Sequence, residues 1–123
     1  MSPLVVAAVL LAGGAAAVIR YGLSVMLART SAAEGFPWTV LIVNVVGSGI
    51  GGAVLGLAHG AGIPSELQLV ILTGVCGGLT TFSTFSVETI QLITHGRWRA
   101  AMLNVGLNLV VSLGACVLGY LLA

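Results

Sequence analysis

The sequence predicts an all-α membrane protein with four transmembrane helices, and three observations carry that expectation. The first is composition: of 123 residues, 59% are hydrophobic and only 6% are charged, with a mean hydropathy of +1.19. A soluble domain carries roughly 25% charged residues, so this chain has too few to cover itself with a water-facing surface. The second is the recurrence of uncharged apolar runs near the ~20 residues that a helix needs to cross the hydrocarbon core. The third is that the segments between those runs are short. Residues 1–123 therefore read as a single integral membrane domain, with spans at about 4–28, 38–58, 67–93 and 100–122.

The first span starts at Leu4 and runs to about Ala28, with Arg20 its only charge. An N-terminal apolar stretch can also be a cleaved signal, and Ala15-Ala16-Ala17 resembles a cleavage site. No basic residue precedes the run, and the apolar pattern continues past Arg20 to Met26 and Leu27, which favours a retained helix. Trp38 to Ala58, Leu67 to Val87 and Ala100 to Ala123 are uncharged throughout. The connections Arg29–Pro37, His59–Glu66 and Thr94–Arg99 leave nothing for a soluble domain. Four helices of this size enclose almost no interior, so any pathway belongs between subunits, and oligomerisation is expected.

Charge narrows both function and topology. Four Arg and three Glu, with no Lys or Asp, give a net charge of +1 and no basic patch, which argues against nucleic-acid binding. The chain has no HExxH, CxxC, P-loop or Rossmann glycine pattern, so no enzyme chemistry is indicated. Cys76 and Cys116 lie in apolar runs and imply no disulfide framework. Arg29, Arg97 and Arg99 fall in the first and third connections, whereas the second connection and both termini carry no Lys or Arg. That bias places the first and third connections in the cytoplasm and both termini outside.

Polar residues inside spans are costly and mark function. In the second span Asn44 and Ser48 share a face, among glycines at small-xxx-small spacing (Gly47/Gly51, Gly52/Gly56) that read as tight helix packing. Asn44 reads either as part of a pathway or as an interhelical hydrogen bond. Asn104, Asn108 and Ser112 recur every fourth residue and line one stripe of the fourth span. They read as a polar track, with helix-to-helix glue as the alternative. Arg20 is either a snorkelling side chain or a fixed positive charge that sets the sign of a permeating ion.

The third span says most. Gly74-Val75-Cys76-Gly77-Gly78-Leu79 is followed by Thr80-Thr81-Phe82-Ser83-Thr84-Phe85-Ser86-Val87-Glu88. Three glycines and then five hydroxyl residues in seven positions make a poor continuous helix, so a break is expected. Broken backbone within a membrane persists only where it is buried or lines a cavity, and carbonyls freed at a break can coordinate a cation. Beyond the break, Thr81, Thr84 and Glu88 fall on one helical stripe, with Phe82 and Phe85 on a neighbouring face. A phenylalanine ring has a positive edge, so two rings presented edge-on can solvate a small anion; plain packing is the alternative.

Gly74 to Thr89, GVCGGLTTFSTFSVET, closely resembles the signature of the CrcB/Fluc fluoride channels. The likeness extends along nearly the whole chain: Gly13-Gly14 with Arg20-Tyr21 resembles the family's first-span motif, and Thr39 with Asn44 and Gly47 its second. The resemblance implies an antiparallel, dual-topology dimer in the cell's inner membrane, with two fluoride pores and a structural Na+ on the two-fold axis. It implies that the backbone carbonyls of Gly77 and Thr80 hold that sodium. By the same match, Phe82 and Phe85 become ring-edge ligands of fluoride, and Asn44 a donor near the vestibule. Thr84, Asn108 and Ser112 continue the polar track, Thr39 and Glu88 lie towards the pore ends, and Arg20 is structural or vestibular. The expected activity is passive export of cytoplasmic fluoride down its gradient.

The Arg bias departs from what a homodimer of both orientations should show, so a heterodimer with a homologous subunit of fixed opposite orientation stays open beside the homodimer. Two other classes stay open. A small four-span multidrug exporter would need a membrane carboxylate in the first span, where this chain has Arg20. A non-transporting assembly protein would account for the glycines but not for the Thr-Phe-Ser-Thr-Phe string.

Overall fold

The computed structural model describes the backbone of residues 2–31, 37–60 and 62–123, and the side chains of these residues outside 27–31. Four helical stretches among them are long and apolar enough to cross a membrane: Pro3–Met26, Trp38–Gly60, Ser65–Thr94 and Trp98–Leu122. The protein is a multi-pass helical membrane protein.

Helix α1 (Pro3–Ser31) begins with proline at its first position, where the missing N–H costs nothing. The Ser2 hydroxyl caps it, accepting the Val5 N–H at 3.2 Å. It runs without interruption through Ala15–Ala17 and past Arg20, and it ends later than the expected 28. Arg29 thus sits on helix rather than loop, and the part of the charge argument that uses its side chain lies outside the described residues. Helices α2 (Trp38–Gly60) and α6 (Trp98–Leu122) run parallel and pack along most of their length. Their seam is built on glycine. A β-carbon on Gly52 or Gly56 would run into the α6 backbone at Cys116 or Tyr120, and one on Gly119 into the α2 backbone at Gly49. Only glycine permits so close an approach. At the far end the His59 and Tyr120 rings meet edge-on, with centroids 5.8 Å apart.

The third span is built in pieces. A short α3 (Ser65–Leu69) widens into a π-helical stretch, Val70–Cys76, then tightens to one turn, α4 (Gly77–Leu79). Thr80 is extended, with φ −78° and ψ 157°, and helix resumes only at α5 (Ser83–Thr94). Gly96, at φ 75°, closes α5, with the Arg97 N–H bonded to the Leu92 carbonyl at 2.8 Å, the arrangement glycine favours after a helix. The break was expected from the glycine and hydroxyl string; the π-helical stretch was not.

Packing explains why the break matters. The π-helical stretch and α4 lie against α1, whereas α5 lies against α6. The span therefore changes partner where its backbone opens. Gly78 sits on the Gly13 backbone of α1 with no room for a side chain. A small core of Ala16, Val43 and Leu79, with Leu23 against it, joins α1, α2 and α4 just before the break.

Candidate functional site

The break is held open by side chains from two other helices. Thr80 keeps the last helical bonds, its N–H and hydroxyl both donating to the Cys76 carbonyl, at 2.9 Å and 2.8 Å. Its own carbonyl accepts from Arg20 Nη1 at 3.1 Å, so Arg20 serves the break from α1. One residue on, the Thr81 N–H donates to Asn44 Oδ1 at 2.9 Å instead of to the Gly77 carbonyl four residues back. Asn44 Nδ2 returns a bond to the Thr81 carbonyl at 3.3 Å. The Asn44 amide thus pairs with both backbone groups of Thr81, as a neighbouring peptide would, and satisfies polar groups that hydrocarbon could not.

The hydroxyl string divides its tasks. The Thr81 hydroxyl accepts the Thr84 N–H at 3.2 Å, a helix-capping bond at the start of α5. The Ser86 hydroxyl donates back to the Phe82 carbonyl at 2.9 Å, and the Thr89 hydroxyl to the Phe85 carbonyl at 2.8 Å. Because Thr81 precedes α5, it does not continue a helical stripe with Thr84 and Glu88.

Asn44 also donates to Asn108 Oδ1 at 2.9 Å. Asn108 Nδ2 donates to the Asn104 carbonyl at 2.8 Å and to Asn104 Oδ1 at 2.9 Å. Asn104 Nδ2 donates to Thr89 Oγ1 at 2.8 Å. The Asn44 and Asn108 amide hydrogens are therefore committed within the chain.

Beside the break lies an open groove of about 440 Å³. Asn44, Ser48, Thr80 and Thr81 form one part of its wall, Phe82 and Phe85 another, and Val105, Asn108, Leu109 and Ser112 the α6 side. None of these residues carries a formal charge. The two rings lie 5.9 Å apart at 42°, and Phe82 is 79% exposed. Ser112 Oγ is buried without a hydrogen-bond partner among the described residues. Such a wall offers ring edges, hydroxyls and amides at once, the means to replace water around a small ion without binding it as tightly as a charge would.

Of the residues singled out from the sequence, this groove gathers Asn44, Thr80, Phe82, Phe85, Asn108 and Ser112. Glu88 lies elsewhere, in a cavity of about 270 Å³ with Pro37, Gln91, Leu92, His95 and Arg97, near the third connection. Its Oε1 is buried and unpartnered among the described residues. Thr39, Thr84, Gly77 and Arg20 line neither cavity. The sequence reading did not pick out Thr89 as the end of the asparagine series, nor the Arg20 contact with Thr80; both depend on how separate helices register, which spacing along one helix does not reveal. Ser48 it named only for sharing a face with Asn44.

The family model for CrcB-like protein, Camphor Resistance (CrcB), matches residues 7–120. The chain belongs to the CrcB family. This CrcB chain is 45% identical over 119 residues to Fluoride-specific ion channel FluC 1 of Leifsonia xyli subsp. xyli, covering 97% of this chain and 86% of that protein. It is 44% identical over 114 residues to Fluoride-specific ion channel FluC of Sorangium cellulosum, covering 92% and 89%. It is 43% identical over 103 residues to Fluoride-specific ion channel FluC of Paramagnetospirillum magneticum, covering 81% and 77%.

Proposed function

We propose that this chain is a subunit of a fluoride-selective channel that lowers cytoplasmic fluoride by passive export across the cell's inner membrane. The observation that carries the reading is the groove at the broken third span, where Phe82 and Phe85 lie beside the Asn44–Asn108 pair in a wall without formal charge. Two copies, antiparallel, close two such grooves into two pores. Phe82 and Phe85 present ring edges to the ion, and Ser112 supplies a hydroxyl. A fluoride at Asn44 competes with the Thr81 carbonyl for an amide hydrogen, and at 3.3 Å that is the longer of the two bonds Asn44 donates. Glu88 and Thr39 belong to the approach to the pore, and Thr84 to the rim of α5.

A structural Na+ fits the break. The Gly77 carbonyl is relieved of its helical partner because Thr81 turns to Asn44, and the Thr80 carbonyl, although it accepts from Arg20, has a second lone pair. Hard carbonyl oxygens suit a hard cation, and two subunits supply four of them. When bound, the ion would hold carbonyls of both subunits and so link them. Arg20 holds the Thr80 peptide in place.

Efflux from liposomes that contain only this purified chain tests the reading, with a fluoride electrode and a parallel chloride measurement. Fast fluoride loss without chloride loss establishes the channel and a sufficient homodimer. No loss from folded protein points to the heterodimer and a missing opposite-orientation subunit. Failure after co-reconstitution with that subunit removes the fluoride reading.

A further inference from the structure

All three asparagines of the chain stand in one hydrogen-bonded series, and the series has a direction. The Thr81 N–H can only donate, so Asn44 must present Oδ1 to it. Asn44 Nδ2 then faces Asn108 Oδ1, and Asn108 Nδ2 faces Asn104 Oδ1. Asn104 Nδ2 faces Thr89 Oγ1, whose own proton is spent on the Phe85 carbonyl. The Thr89 oxygen must therefore accept, which demands the same sense that Thr81 imposes at the other end. Asn104 is 0% exposed and lines neither cavity, whereas Asn108 and Asn44 both line the groove.

We propose that Asn104, anchored by Thr89, is a positioning residue for the groove: its side chain joins its own backbone carbonyl, which also accepts from Asn108 Nδ2, in holding the Asn108 amide to the sense that Thr81 imposes on Asn44, without meeting the ion. The inference rests on the groove being an ion path, which the three-way series itself does not require. Glue between helices alone needs no common direction; a ladder locked at both ends keeps amide oxygens from swinging into an anion's way. Reversing any one amide sets N–H against N–H at one end and oxygen against oxygen at the other, so the three move together or not at all.

The test uses protein labelled with 15N-asparagine, which yields three side-chain NH2 pairs and no others of that residue type. Thr89→Val keeps the side chain's shape and removes the acceptor. The expected result is a shift of all three pairs, including those of Asn44 and Asn108, which Thr89 does not touch, and their return to wild-type positions in Thr89→Ser. Movement of the Asn104 pair alone overturns the proposal. In liposomes Asn104→Leu should lower fluoride efflux about tenfold, the scale of losing a buried hydrogen-bond partner, while eluting as wild type does. Unchanged efflux overturns the proposal as well. Should Asn104→Leu fail to fold, Thr89→Val against Thr89→Ser makes the same efflux comparison. Absent efflux from the wild type, with the opposite-orientation subunit co-reconstituted as well, strikes the fluoride reading instead, and the NH2 spectra still decide the ladder.

Discussion

Asn44 replaces hydrogen bonds that the third span gives up when it opens, and its removal should be felt at once. Asn44→Ala leaves the Thr81 N–H and carbonyl without their partner and takes the donor from Asn108. Unpartnered buried groups cost about 1–3 kcal/mol, so thermal unfolding in detergent should show a loss of at least that order. Phe82 is the opposite case: at 79% exposure it packs little within its own chain. Phe82→Ile should leave folding and assembly intact while fluoride efflux falls about tenfold or more, or ~1.4 kcal/mol in the barrier. A scaffold protein would not register the change. At this scale the sequence was half readable. The four-residue spacing of Asn104, Asn108 and Ser112 announced a stripe, and hydrocarbon makes every amide in it seek a partner. Which partner each finds depends on the register between α2 and α6 and between α5 and α6, and no local pattern encodes that register.

Among the helices, glycine decides how near each may come to the next. Gly52→Ala and Gly78→Ala would each drive a methyl group into a facing backbone, at Cys116 and Gly13 respectively. Overpacking of that kind costs about 1–3 kcal/mol or more. Gly106→Ala meets nothing within 4 Å and should keep the stability of the wild type or gain up to about 1 kcal/mol from better helix propensity. Thermal melts of the three variants check the contrast. The four spans were legible because length and hydropathy suffice for that decision, and the break was legible because glycines and hydroxyls in series disfavour helix. The π-helical stretch at Val70–Cys76 was hidden: apart from Gly74 its residues are ordinary helix and strand formers, and it lies against α1, where a β-carbon on Gly74 would meet Val9 and Ala12. Helix α1 continues through Thr30 and Ser31 although both resemble loop residues.

Taken whole, the chain has little inside. Among the described residues ten apolar ones form its buried core, while large side chains such as Leu10, Leu11, Met102 and Leu113 stand exposed along α1 and α6, free to face lipid or a second subunit. The groove opens outward in the same way. If the channel is a homodimer of antiparallel copies, a reporter at the third connection lies on both sides of the membrane. His95→Cys, in a chain whose Cys76 and Cys116 are replaced by Ala, should be blocked to about half by an impermeant thiol reagent in intact cells, as equal numbers in each orientation require. Complete protection would instead assign this chain one fixed orientation and favour the heterodimer.

The one-way run of the asparagine amides has a consequence for electrical behaviour. Along α6 the step from Asn108 to Asn104 covers four residues, about 6 Å of helix axis; if an ion moves beside that step, the aligned amide dipoles give its path a slope. A lone pore of this kind would rectify. In an antiparallel pair of identical chains the second ladder points the opposite way, and the two tilts cancel in the summed current. The current–voltage relation of the homodimer in symmetric fluoride should therefore be unchanged when the voltage is reversed, while a pairing with a subunit that lacks these three amides should pass more current in one direction than in the other.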